Sequence, residues 1–177
     1  MRAGGRTRAA GADALTAARM VIAALLVPVV WTGSFSTAAL LLALGWLSDF
    51  ADGRLARSTE TPTRLGDWDL VSDTLVGAAL VVGLVGFGVM PPVLGIGLTL
   101  ALGALFIAGN VAASMLLQLL GYLPFLFLLW TVRPPLWWVP FATAAILAVL
   151  DWRRLVLINI PAFLRGVTGR FEGRRLS

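Results

Sequence analysis

Between Asp73 and Arg133 the sequence carries no charged residue, a run of 59 positions. A bilayer crossing takes about 20 apolar residues, so this run alone accommodates two or three. Composition agrees, because 59% of the 177 residues are hydrophobic and 13% are charged, whereas a soluble domain runs near ~25% charged. Six crossings would use roughly 120 residues and leave short loops, so residues 1–177 read as one membrane domain. Cysteine and histidine are both missing. That excludes disulfides, thiol chemistry, Cys/His zinc sites and an imidazole acid or base. Chemistry in such a chain rests on carboxylates, arginine and a hard metal.

The pattern predicts an all-α integral membrane protein with six transmembrane helices. A short amphipathic lead-in, residues 1–16, precedes a first span from about Ala17 to Trp31. This basic-then-apolar opening could be a secretory signal, but more spans follow and the segment after Trp31 is a poor cleavage site. The remaining spans run from about Ser36 to Phe50, Leu70 to Met90, Val93 to Ala108, Val111 to Val132 and Leu136 to Leu150. Pro91-Pro92, Gly109-Asn110 and Pro134-Pro135 break the pattern between them. Residues 155–177 read as an interfacial segment and basic tail.

All 14 basic residues are arginines, and the formal net charge is +5. They flank apolar segments instead of forming a stripe with aromatics, so membrane lipid is the expected partner and nucleic acid is not. Arg2, Arg6, Arg8, Arg54, Arg57, Arg64, Arg153, Arg154 and the tail fall on one side of the predicted topology, with Arg133 opposite. By the positive-inside rule both termini and the loop after span two are cytoplasmic. Trp31, Trp130, Trp137 and Trp138 then form an outer belt, and Trp46, Trp68 and Trp152 an inner one. The expected location is a bacterial cell membrane, multi-pass, with the polar loop facing the cytoplasm.

Six of the nine acidic residues lie between Asp49 and Asp73. Asp49 and Asp52 share a helix face at i, i+3, and Asp69 and Asp73 share one at i, i+4. The second offset sets Asp73 about one turn, or ~5–6 Å, deeper toward the bilayer. Converging carboxylates repel one another, and a hard divalent cation with oxygen ligands relieves that, which points to Mg²⁺ or Mn²⁺. Ordinary helix ends explain Asp49, Asp52 and Asp69. They do not explain Asp73, an ionisable group inside an apolar run. Arg57 and Arg64 are placed in the same loop, where they can fork onto phosphate oxygens. Gly53 admits a ligand close to the backbone. Together these residues suit phosphoryl transfer from a diphosphate with a membrane-embedded tail.

The segment Asp49-Phe-Ala-Asp52-Gly53-Arg-Leu-Ala56-Arg57, eight residues, then Gly66-Asp-Trp-Asp69-Leu-Val-Ser-Asp73 resembles the signature of the CDP-alcohol phosphatidyltransferase family. That signature is D-x-x-D-G-x-x-A-R followed by G-x-x-x-D-x-x-x-D. The opening Asp13-Ala-Leu-Thr16-Ala-Ala-Arg19 is similar to the family's N-x-L-T-x-x-R lead into its first span. The resemblance implies transfer of a phosphatidyl group from CDP-diacylglycerol to a small alcohol, with glycerol 3-phosphate or an inositol-type polyol favoured, and release of CMP. It implies that Asp49, Asp52, Asp69 and Asp73 hold a pair of Mg²⁺ or Mn²⁺ ions and that Asp73 is the general base. It further implies that Gly53, Ala56, Arg57, Thr63 and Gly66 contact the donor, and that the protein is a homodimer. One departure is that only two residues separate Gly66 from Asp69. A one-residue deletion turns a helix by about 100°, so the loop must adjust for both to keep their directions, and Asp67 is an alternative participant.

For the acceptor, Arg153 and Arg154 are the candidate contacts, because spans three to five hold no basic residue. Asn110, Gln118 and Tyr122 read as packing or turn residues. A cation transporter would also use intramembrane carboxylates, though at mid-bilayer on broken helices. A non-catalytic membrane protein would explain Gly83, Gly86, Gly88, Gly95, Gly97 and Gly103 as packing surfaces, but not the spacing of the aspartates.

Overall fold

The computed structural model describes residues 2–58, 65, 68–152, 156–157 and 160–161. These residues form six helices: α1 (Arg2–Trp31), α2 (Phe35–Arg57), α3 (Asp69–Phe87), α4 (Pro92–Ile107), α5 (Val111–Val132) and α6 (Val139–Leu150). No strand occurs among the described residues. The expected tail segment, residues 155–177, lies outside them except at 156–157 and 160–161.

The amphipathic lead-in expected over residues 1–16 is continuous with span one, since α1 is one helix of 30 residues. Ala9, Ala12, Thr16, Arg19, Ala23, Leu26 and Val30 are all buried. Their intervals alternate between three and four, which is one continuous helical stripe. The lead-in and the span therefore bury the same face. α2 likewise runs past the expected end at Phe50, because Ser48 and Asp52 extend the buried face begun by Ala38, Leu42 and Gly45. Span three is shorter than expected, ending at Phe87 with Gly88 as a left-handed cap at φ 89°.

Three helical segments, Thr7–Trp31, Asp69–Phe87 and Val111–Val132, are long and apolar enough to cross a membrane. α4 and α6 are apolar but have 16 and 12 residues, so α6 rises only about 18 Å against a ~30 Å hydrocarbon core. The expected start of span six at Leu136 falls in a turn. Pro134-Pro135 opens it, Leu136 sits at φ 66°, and the Trp137 N–H donates to the Pro134 carbonyl at 3.1 Å.

α3 lies at the centre, packed against α1, α4 and α5, while α6 packs on α2. Leu26 and Val30 of α1, Leu42 of α2, Leu80 and Leu84 of α3, and Phe125 and Leu129 of α5 meet in one core. α3 and α5 touch backbone to backbone: a Cβ on Gly121 would lie 2.3 Å from the Gly77 carbonyl oxygen. Outward positions are apolar, with Val93 89% and Ile107 87% exposed, as suits a surface facing lipid. At one end of the bundle Trp130, Trp137 and Phe141 pack edge to face, and the Arg133 guanidinium lies over both indoles.

Candidate active site

α2 and α3 touch each other little, and α1 packs against both. The two aspartate pairs therefore meet across α1. Asp49 and Asp52 come from the last turns of α2, and Asp69 and Asp73 from the first turns of α3. Asp52 is buried, while Asp49, Asp69 and Asp73 are partly exposed. Carboxylate oxygens of Asp49, Asp52 and Asp69 all lie within 4.8 Å of one another.

At the centre stands Arg19, 1% exposed. Its Nη1 donates to Asp69 Oδ1 at 2.8 Å and to Asp73 Oδ1 at 2.6 Å, and lies 3.1 Å from Ser72 Oγ. Asp49 Oδ1 is 3.2 Å from the same nitrogen, and Nη2 pairs with Asp52 Oδ2. Four like charges at this spacing would drive the helices apart; one guanidinium holds them together. Thr16 Oγ1 lies 3.3 Å from Asp52 Oδ2. Asp13 Oδ1 accepts the Leu65 N–H at 2.9 Å, which fastens the α2–α3 connection to α1.

Beside the cluster opens a recess of about 100 Å³. Ala12, Asp13 and Thr16 of α1 line it, with Asp52, Gly53 and Ala56 of α2 and Asp69 of α3. Pockets that enclose a drug-sized ligand run to ~300–1,000 Å³, so this is a foothold for part of a ligand. The donor set fits a hard divalent cation. It is all oxygen and mostly carboxylate, and one point, now marked by Nη1, is 2.6–3.2 Å from oxygens of three aspartates and the Ser72 hydroxyl, which is the chemistry such ions select.

The structure thus brings together Asp49, Asp52, Asp69 and Asp73, and sets Gly53 and Ala56 at the recess. Arg57 is corrected from loop to helix: it is the last residue of α2, exposed and outside the recess lining among the described residues. The helix continues to it because the buried face of α2 continues to Asp52. Thr63, Arg64, Gly66, Asp67, Arg153 and Arg154 lie outside the described residues. Reading for carboxylates missed Asp13, Thr16 and Arg19 as site residues. Their signal was the three-residue spacing that puts them on one face of α1, ending in a lone arginine inside an apolar helix.

The polar residues of α5 serve packing. Asn110 caps α5 by accepting the Ala113 N–H at 3.3 Å. Thr74 of α3 and Ser114 of α5 share a buried hydrogen bond of 2.6 Å, and Gln118 Nε2 donates to Ser114 at 3.3 Å. Tyr122 packs edge to face on Trp46 at 5.4 Å. Gly83, Gly86 and Gly95 are close-contact positions, whereas Gly97 and Gly103 border open space.

A family model described as CDP-alcohol phosphatidyltransferase matches residues 10–151. No curated protein and no solved structure matches the chain. The matched stretch begins before Asp13 and so takes in the α1 residues of the site as well as the four aspartates.

Proposed function

The chain belongs to the CDP-alcohol phosphatidyltransferase family, and on that premise we propose that it transfers the phosphatidyl group of CDP-diacylglycerol to the hydroxyl of a small alcohol, releasing CMP. The observation that supports this reading is the gathering of Asp49, Asp52, Asp69 and Asp73 around the one Arg19 guanidinium, beside a recess lined by Gly53 and Ala56.

Asp49, Asp52, Asp69 and Asp73 are the residues to hold Mg²⁺ or Mn²⁺. When bound, such ions offset the charge of the donor diphosphate and of the leaving phosphate. Gly53 and Ala56 give the donor a close approach to α2, and Arg57, on the exposed end of that helix outside the recess lining, is assigned to its phosphates. Asp73 accepts the proton of the acceptor hydroxyl. The freed oxygen attacks the phosphatidyl phosphorus, a new P–O bond forms, and the P–O bond to CMP breaks with its electron pair leaving on CMP. Asp73 later gives its proton to water.

Glycerol 3-phosphate or an inositol-type polyol is the favoured acceptor, with Arg153 and Arg154, which follow α6 in sequence, as its contacts. The site faces the cytoplasm of a six-span protein, an orientation that the arginine placement supports, and the family resemblance favours a homodimer. Purified protein in nanodiscs, given CDP-diacylglycerol, Mg²⁺ and separate acceptors, should release CMP with one acceptor class. Equal background release with every alcohol would overturn the assignment of acceptor, and none at all would favour a non-catalytic member.

A further inference from the structure

Arg19 Nη1 carries two N–H donors, yet four acceptors surround it: oxygens of Asp49, Asp69 and Asp73 and the Ser72 hydroxyl, all at 2.6–3.2 Å. The buried Nε of the same group has no hydrogen-bond partner among the described residues. A guanidinium built to stay would match its planar fork to a carboxylate. This one is over-subscribed at one nitrogen and unmatched at another, so charge and not hydrogen-bond fit holds it. The surroundings of Nη1 are those of a spherical cation.

We propose that Arg19 is a displaceable, tethered cation of the carboxylate cluster: its Nη1 and a divalent cation are alternative occupants of the position between Asp49, Asp69 and Asp73. This rests on the reading of that cluster as the metal-holding site. Before metal loads, Arg19 keeps α2 and α3 fastened to α1 against the mutual repulsion of the aspartates. When metal loads, the side chain yields Nη1's place, so Arg19 weakens apparent metal affinity and tunes the concentration at which the site fills.

Mn²⁺ binding to the purified full chain, read by electron paramagnetic resonance in nanodiscs, tests this with wild type, Arg19→Gln and Asp52→Asn. Arg19→Gln should bind Mn²⁺ at least tenfold tighter. Its metal-free Tm should fall and its Mn²⁺-induced rise in Tm should exceed that of wild type. A merely structural arginine gives the opposite sign, since a loosened site binds metal more weakly. Equal or weaker binding in Arg19→Gln, with binding lost in Asp52→Asn, overturns the exchange but leaves the metal-site reading standing. Wild type that binds no Mn²⁺, or binding untouched in Asp52→Asn, overturns both. If Arg19→Gln does not fold, wild type labelled with ¹⁵N-arginine decides the matter. The slowly exchanging Nη signals of the buried guanidinium should be lost as Mg²⁺ saturates the site, and their persistence at saturation contradicts the proposal.

Discussion

Thr16 of α1 and Asp52 of α2, both 4% exposed, meet at 3.3 Å between Oγ1 and Oδ2. A buried carboxylate needs its lone pairs satisfied, and a hydrogen bond to a charged group contributes about 1.5–3 kcal/mol. Thr16→Val keeps the shape and removes the donor. It should lower Tm by several degrees and CMP release by at least tenfold, while Thr16→Ser stays within about threefold of wild type. Thermal unfolding and turnover measured on the same preparations check both.

The shortened spacing before Asp69 makes a ranking test. Asp69 starts α3 and touches the Arg19 nitrogen at 2.8 Å, so its register on the helix is tied to that of Asp73. Asp69→Asn should therefore be as damaging to turnover and Mn²⁺ binding as Asp52→Asn, and Asp67→Asn much milder. The reverse order would hand the metal to Asp67.

The α3–α5 crossing leaves no room for a side chain at Gly121, where a Cβ would sit 2.3 Å from a backbone oxygen. Overpacking of this kind costs about 1–3 kcal/mol. Gly121→Ala should lower Tm by several degrees. Gly97→Ala on α4, with nothing within 4 Å of the added Cβ, should leave Tm unchanged or raise it slightly, since alanine is the better helix former.

How much of this was legible in the sequence follows from which residues carry a period. Asp49, Asp52, Asp69 and Asp73 announce shared faces by their offsets, and the structure brings all four together. Arg19 escaped because a buried arginine has meaning only beside its partners, and those lie 30 to 54 positions away on two other helices. α2 and α3 are neighbours in the chain, yet they touch each other little. The 3–4 stripe from Ala9 to Val30 places α1 between them. Polarity also misled at the helix ends: the charged stretch from Asp52 to Arg57 looks like a loop, yet it continues α2, whose inner side is still buried at Asp52. At Leu136 the apolar pattern continues, but two prolines and a left-handed residue delay α6 by three positions.

CMP release from CDP-diacylglycerol, measured with the amount of new phospholipid formed, bears most directly on the four aspartates as a phosphatidyl-transfer site. Wild type with Mg²⁺ and its acceptor should give CMP and product in equal amounts, and chelation should stop both. Asp73→Asn should lower kcat at least a thousandfold with donor binding nearly unchanged, because a base acts in the transition state and the nucleotide is held by other groups. Turnover like that of wild type in Asp73→Asn, or CMP release that survives chelation, would contradict it.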